Sequence, residues 1–199
     1  MIEFVTVAAE FCAFLERAES MKRSTFVDTT LKILPLLYLK ASMLPKCEMI
    51  GDESPETYVT EEIYEVLRIN LASILAEKDD YLEVFLPDMA YSDEPIKKNI
   101  SEDLADIYQD IKDFIFVFQL GLNETMNDSL AICQENFGLL WGQKLVNTMR
   151  ALHDVKYSPK ARGEDEEEEE YEPENNEDCH CEDDDCHCHD HGCHCHDDE

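Results

Sequence analysis

The chain's clearest helical pattern lies in residues 101–120, which read SEDLADIYQDIKDFIFVFQL. Apolar residues recur there every three or four positions, which is the spacing of one face of an α-helix. The apolar set is Leu104, Ile107, Tyr108, Ile111, Phe114, Ile115 and Phe118. Ser101 is a suitable N-cap, and Gly121 ends the pattern. The stretch therefore predicts an amphipathic helix with one face in a core.

The same spacing recurs on both sides of this segment. It predicts further helices over residues 3–19, 24–44, 60–77 and 127–155. The apolar stripe expected on the 60–77 helix is Ile63, Val66, Leu67, Leu71, Ile74 and Leu75. The stripe expected on the last helix is Leu130, Cys133, Phe137, Leu140, Trp141, Leu145, Met149 and Leu152.

Two local features qualify the helix predictions. Ser24 is a candidate N-cap for the second helix, and Pro35 inside that helix predicts a kink or two shorter helices.

Residues 80–100 are less regular and suggest a buried turn followed by a polar loop. No segment alternates with period two, so no sheet is expected beyond a chance pairing in a loop. Five or six helices with mostly short connections predict an all-α antiparallel bundle.

Composition changes abruptly near residue 160. Residues 164–199 hold 19 of the 47 acidic side chains and no lysine or arginine, which leaves 28 acidic and 16 basic residues before them. A run of like charges without apolar residues cannot build a core. We therefore predict a helical domain over residues 1–160 and a disordered acidic tail over residues 161–199.

The net charge, the first apolar stretch and the distribution of cysteines indicate which partners and which cellular compartment to expect. A net charge of −31 disfavours nucleic acids and anionic membranes, both of which are bound through basic clusters. Glu3, Glu10 and Glu16 interrupt the first apolar stretch, so it fits neither a signal peptide nor a membrane span. Six of the nine cysteines lie after residue 178, unlike a disulfide framework. A cytoplasmic protein is expected.

The end of the tail contains three seven-residue repeats that start at Cys179, Cys186 and Cys193. Each repeat begins Cys-His-Cys, and the repeats lack the apolar seam of a coiled coil. Twelve soft donor side chains result. The predicted metal ligands are Cys179, His180, Cys181, Cys186, His187, Cys188, His189, His191, Cys193, His194, Cys195 and His196.

Thiolates and imidazoles favour zinc, with nickel or copper as alternatives, over the oxygen-seeking magnesium and calcium ions. Twelve donors suffice for about three four-coordinate sites. The surrounding carboxylates are expected to concentrate cations and to raise the pKa of the donors, so metal binding should weaken as pH falls. The alternative is a solubilising tail with incidental metal affinity.

The predicted body offers weaker candidates. Asp103, Asp106, Asp110 and Asp113 share one helical stripe, which suits either a metal or acid–base site or a solvated face. Gly138 and Gly142 lie one turn apart, a spacing that permits close helix packing.

Other polar and sulfur-containing residues of the body fit structural roles. Cys12 and Cys133 are expected in the core, Cys47 in a loop, His153 at a helix end and Asn70 in the core or an interface. No phosphate-binding loop, nucleophile elbow or His-Glu-x-x-His motif occurs, so no enzyme is predicted.

Residues 30–41, TLKILPLLYLKA, together with Glu10-Phe11-Cys12, resemble an uncharacterised bacterial family of helical domains of unknown function. The resemblance covers residues 1 to about 157 and excludes the Cys/His tail. It implies an all-α fold and no particular activity.

Two functions remain open at this point. The first is metal buffering or delivery, in which the body docks a client protein and the tail donates the ion. The second is a helical protein–protein interaction module with an accessory tail. The sequence leaves the oligomeric state undetermined.

Overall fold

A computed structural model of the protein describes residues 1–83 and 96–158. Six α-helices occur in these ranges: α1 (Ile2–Glu16), α2 (Arg23–Ser42), α3 (Glu61–Leu75), α4 (Ile100–Leu120), α5 (Asn123–Asn136) and α6 (Gly142–Tyr157). Short 3₁₀ turns follow α1 (Ala18–Ser20) and α3 (Ala76–Lys78), and a π-helical turn, Phe137–Trp141, joins α5 directly to α6. The all-α antiparallel bundle predicted from the sequence is confirmed.

Helix α4 lies at the centre of the bundle and packs against α1, α3, α5 and α6. Its predicted apolar side chains explain that position, since Leu104, Ile107 and Ile111 are fully buried. Gly121 ends the helix in the left-handed conformation, at φ 74°, which glycine adopts without steric cost. The stretch with the strongest helical pattern is therefore the core of the fold.

The start of α4 differs from the prediction. Ser101 lies inside the helix and is buried, so it is not the N-cap. Its backbone N–H donates to Asp79 Oδ1 over 2.7 Å, and its hydroxyl donates to Asp79 Oδ2 over 2.6 Å. Asp79, 22 residues earlier in the sequence, therefore caps the helix through tertiary contact.

The irregular region before α4 contains one small ribbon. Strand β1 (Asp80–Leu82) pairs antiparallel with strand β2 (Lys97–Asn99), with Asp80 opposite Asn99. The ribbon agrees with the expectation of no more than a chance pairing in a loop. The predicted turn and loop between the two strands lie largely in residues 84–95, outside the described ranges.

Helix α2 continues through Pro35 as one element, so the alternative of two shorter helices is wrong, while the alternative of a kink within one helix stays a prediction. Ser24 lies within the first turn rather than at the N-cap position, which Lys22 occupies. The neighbours of Pro35 explain the continuity, since Leu34 and Leu37 are fully buried and hold that turn against the core. In the described part of the chain, no helix is long and apolar enough to cross a lipid bilayer.

Candidate functional site

All twelve predicted metal ligands, from Cys179 to His196, lie outside the described residues. The tail boundary predicted near residue 160 also falls just beyond Ser158, where the description ends. Within residues 1–83 and 96–158, no group of three or more histidine, cysteine, aspartate or glutamate side chains is arranged to hold a metal ion. Metal binding by the tail therefore stays a prediction.

The four aspartates of α4 do not form a solvated face, which corrects one of the two interpretations given above. Asp103 is only 3% exposed, and Asp106, Asp110 and Asp113 are half-buried. Each carboxylate accepts hydrogen bonds from a different part of the bundle. We call these four residues the aspartate ladder.

The upper half of the ladder binds two tyrosines and a lysine. The Tyr81 hydroxyl in β1 donates to Asp103 Oδ2 over 2.5 Å, and the Tyr64 hydroxyl in α3 donates to Asp106 Oδ1 over 2.8 Å. Lys144 in α6 forms an ion pair with Asp106, and its Nζ lies 3.9 Å from Asp103 Oδ1. These contacts tie β1, α3 and α6 to the central helix.

The lower half of the ladder binds backbone and amide donors. Asn136, at the end of α5, donates from Nδ2 to Asp110 Oδ1 over 2.6 Å. The backbone N–H groups of Tyr58 and Val59, just before α3, both donate to Asp113 Oδ1, over 2.7 and 2.8 Å. Asp113 therefore satisfies two donors of an irregular segment that has no helix or sheet partner there.

Burial dominates the electrostatics of the ladder. Desolvation raises the pKa of Asp103, Asp110 and Asp113 above the ordinary value of 3.8, and the hydrogen bonds to the carboxylates only partly offset it. The pKa values of Tyr64 and Tyr81 are also raised, mainly by desolvation and secondly by the hydrogen bond that each hydroxyl makes to its aspartate. Every ladder carboxylate is engaged in holding a neighbouring element, so the arrangement favours a structural role over acid–base chemistry.

The raised pKa of Asp110 predicts a specific pH dependence. A carboxyl whose folded pKa is raised contributes stability that is complete below the unfolded value and is lost as pH rises through the folded value. Asp110→Asn removes this titration but keeps an oxygen that accepts from Asn136. The free energy of unfolding of the variant minus that of the wild type should therefore be larger at pH 7 than at pH 4. Urea unfolding of both proteins at the two pH values measures this difference.

Asp28 supplies a control of opposite sign. Ion pairs with Lys156 and Lys32 lower the pKa of Asp28 to about 2, so its contribution is present above 3.8 and is lost as pH falls towards 2. For Asp28→Asn, the free energy of unfolding of the variant minus that of the wild type should therefore be smaller at pH 7 than at pH 2. If the stability difference between Asp110→Asn and the wild type did not change with pH, the raised pKa of Asp110 would be contradicted.

Two clefts flank Asp110. One, of about 310 Å³, opens between α4, α5 and residues 54–57, and the other, of about 250 Å³, lies between α4 and the π-helical turn. Lys144 and Asp106 line the second cleft beside Trp141, whose Nε1 donates to the backbone oxygen of Cys133 over 3.0 Å. No local sequence signal identifies Lys144, Tyr64 or Tyr81 as ladder partners, because all three are distant in sequence from α4.

The glycines of the last helix have different roles from the one expected. Among the described residues, an added Cβ at Gly138 would meet nothing within 4 Å, so that glycine permits no close helix approach between described elements. At Gly142 the Cβ would lie 2.3 Å from the backbone oxygen of Phe137 in the preceding turn. Gly142 therefore serves the π-helical turn of its own helix rather than packing between helices.

The body cysteines are structural, as predicted for two of them. Cys12 and Cys133 are buried, and burial raises the pKa of the Cys12 thiol to about 12 and raises that of Cys133 as well. Both remain thiols at neutral pH and are poor nucleophiles. Cys47 is half-buried outside the helices, with its Sγ 3.0 Å from Asn127 Oδ1. His153 is exposed and contacts the Tyr157 ring, and Asn70 is only half-buried.

A groove of about 340 Å³ separates α1 from α3 on the surface, and we call it the α1–α3 groove. It is lined by Leu15, Glu16, Glu62, Ile63, Val66, Leu67, Asn70 and Tyr108. Val66 was expected in the buried stripe of α3 but is 61% exposed, and Leu140 was expected in the last helix's stripe but is 53% exposed. The exposure of Val66 adds an apolar side chain to the surface at this groove.

Comparison with known proteins agrees with the helical fold. The family model for a domain of unknown function, DUF5063, matches residues 1–158 and ends before the Cys/His repeats. The crystal structure of protein BF1032 from Bacteroides fragilis is similar to the chain, with 92% sequence identity and a TM-score of 0.73. The match covers 81% of this chain and 94% of that one. No curated protein matches the chain. The chain therefore belongs to the DUF5063 family, whose function is unknown.

Proposed function

We propose that the protein is a metal-binding helical adaptor, whose C-terminal repeats bind zinc, or alternatively nickel or copper, and whose body docks a client protein. The single observation that carries this proposal is the set of six thiols and six imidazoles in residues 179–196. Donors of these two types are the ones that soft and borderline divalent ions prefer. Buffering or delivering such an ion in the cytoplasm would follow from this capacity.

The structure of the helical body is compatible with a role in docking a client protein while the tail binds metal. The ladder carboxylates are all engaged with neighbouring elements, and the cysteines of the described residues are two buried thiols and one that contacts Asn127. These three cysteines are free rather than paired in disulfides, which is consistent with a reducing compartment. The body is therefore best suited to recognition, while the tail supplies the chemistry.

The test is a zinc titration of the full, untagged chain after reduction and removal of metal. Native mass spectrometry should show more than one zinc ion per chain, and calorimetry should show proton release because thiols and imidazolium groups must deprotonate to bind. Lowering the pH from 7 to 5 should weaken binding for the same reason. A full chain in which all six tail cysteines are replaced by serine should lose most of the bound zinc.

A double variant, Cys47→Ser with His153→Ala, serves as the matched control. It removes one thiol and one imidazole that lie outside the tail and should bind as much zinc as the wild type. If the wild type takes up no zinc, nickel or copper, or if the tail cysteine variant binds as much as the wild type, the metal-binding proposal fails.

A second candidate is an interaction module whose tail is only accessory, and the exposed apolar surface at the α1–α3 groove favours it. The two candidates differ in whether the tail is needed. In a strain lacking the protein, full rescue under metal limitation by a chain that ends at residue 158 would favour the interaction module. Loss of rescue would favour metal delivery.

A further inference from the structure

We propose that the α1–α3 groove docks a basic amphipathic helix of a partner protein. The inference rests on the docking half of the proposed function, and it is independent of whether the tail binds metal. Three properties of the groove carry it: its apolar floor, the exposed apolar residues beside it and the sign of its charge.

The floor of the groove belongs to the core. Leu15 and Leu67 are 2% and 7% exposed, and Ile63, which also lines the groove, is half-buried. The ring of Tyr108 closes one side, with its hydroxyl donating to Glu16 Oε1 over 2.9 Å. A rigid apolar floor of this kind needs no rearrangement to receive apolar side chains.

The edge of the groove exposes apolar residues that the fold does not use. Val66 is 61% exposed and Ile69 is 54% exposed, one turn further along the same helix. Both are β-branched, which lowers helix propensity slightly, so neither is favoured by the stability of α3 alone. Apolar residues at this spacing beside a groove suit a helix that presents anchors at positions i, i+3 and i+7.

Charge selects the kind of helix. Among the described residues, two carboxylates, Glu16 and Glu62, line the groove, and no lysine or arginine does. Lys112 pairs with Glu16 from outside the lining, with an Nζ to Oε1 distance of 2.5 Å, while Glu62 interacts with Thr60 at the start of its own helix. Lys112 therefore largely neutralises Glu16, and Glu62 is the carboxylate that leaves negative charge at the groove. This charge complements lysines and arginines that flank the apolar face of a docked helix.

The net charge decides against a second copy as the occupant. Each chain carries −31, so two copies repel each other unless a counter-charge intervenes. Nucleic acids and anionic membranes are repelled for the same reason. A basic helix is attracted by Glu62 at the groove and by the net negative charge of the chain, which makes it the occupant that the observations favour.

The inference is tested with a synthetic amphipathic helix of about 18 residues, five turns long, with leucines on one face and lysines on the other. A scrambled peptide of the same composition lacks the apolar face. Fluorescence anisotropy with the full chain, at about 150 mM salt to screen the acidic tail and with a chelator present, should show at least about tenfold tighter binding of the amphipathic peptide.

Two exposed positions provide the variant and its matched control. Val66→Lys places a positive charge at the groove and should weaken binding of the amphipathic peptide by about tenfold or more. Leu36→Lys makes the same kind of change at a 50% exposed leucine of α2 that does not line the groove, and it should leave binding unchanged. Circular dichroism spectra of both variants check that they fold.

Several outcomes would overturn the inference. Equal binding of the two peptides would mean that only tail electrostatics is measured, and equal effects of the two substitutions would remove the groove as the site. Failure of the amphipathic peptide to bind, or a wild-type dimer that Val66→Lys converts to a monomer in sedimentation, would also reject it. None of these results affects the zinc titration, so the two proposals fail separately.

Discussion

Replacement of Gly142 by alanine is expected to destabilise the protein by about 2–4 kcal/mol. The backbone N–H of Gly142 donates to the Phe137 oxygen five residues earlier, and an added Cβ would lie 2.3 Å from that same oxygen. The Phe137 ring, with two carbons at 2.9 and 3.0 Å, blocks the other direction of escape. The clash is therefore with backbone and a packed ring, which cannot move aside easily.

The helix has one way to relieve the clash, and it is costly. Conversion of the π-helical turn to regular α-helix would rotate the following segment by about 100° relative to α5, because one residue would leave the turn. Trp141 and Leu145, which are 1% and 0% exposed, would then turn away from the core. The extra residue in the turn sets the direction in which α6 presents its apolar side.

Gly138→Ala is the matched control in the same turn. In the part of the chain that the structure describes, its Cβ would meet nothing within 4 Å, and alanine favours helix over glycine by up to about 1 kcal/mol. Thermal unfolding followed by circular dichroism should therefore show a fall of roughly 5–15 °C for Gly142→Ala and no fall for Gly138→Ala. Equal melting temperatures for the two variants would show that the π-helical turn does not need glycine at position 142.

Replacement of Asp79 by alanine is expected to cost about 2–3 kcal/mol, because it removes the tertiary cap of the central helix. Ser101 is 1% exposed, so its backbone N–H and hydroxyl would lose their acceptors without gaining water. The negative charge near the helix N-terminus would be lost as well. Both effects act on α4, on which the bundle is built.

Asp80→Ala isolates the cap from the general loss of an acidic residue. Asp80 is the next residue, is exposed, and pairs with Lys97 over 2.5 Å at the surface, where an ion pair contributes little to stability. Urea unfolding of both variants should place most of the loss in Asp79→Ala. If Asp80→Ala were as destabilising as Asp79→Ala, the cap would not be the reason.

Exposure on the predicted stripes illustrates where sequence patterns fail. Val66 and Leu67 are adjacent apolar residues of α3, yet Leu67 is buried while Val66 is 61% exposed. A hydrophobic stripe indicates which side of a helix faces the core, but its edges depend on how closely the neighbouring helices approach. For the same reason the α1–α3 groove, which involves residues from three helices, has no signature in any one segment.

The aspartate ladder illustrates a second limit. The spacing of Asp103, Asp106, Asp110 and Asp113 predicts that they share one stripe of the helix. In the structure, each carboxylate accepts a hydrogen bond from a different part of the bundle. One of the two interpretations given from the sequence was a solvated face, because acidic residues are mostly exposed. Their actual partners come from β1, α3, α5, α6 and the segment before α3, and only the packed bundle brings those donors to α4.

The sequence by itself determined the helical class, the amphipathic helix over residues 101–120 and the concentration of soft metal donors in residues 179–196. These properties follow from local spacing and side-chain chemistry, which need no knowledge of distant contacts. Tertiary structure alone decided that Asp79 caps α4, that α2 continues through Pro35 and that Gly142 permits a π-helical turn. These three features depend on burial and on contacts with atoms from another helical turn or another element. Such contacts exist only once the bundle has packed.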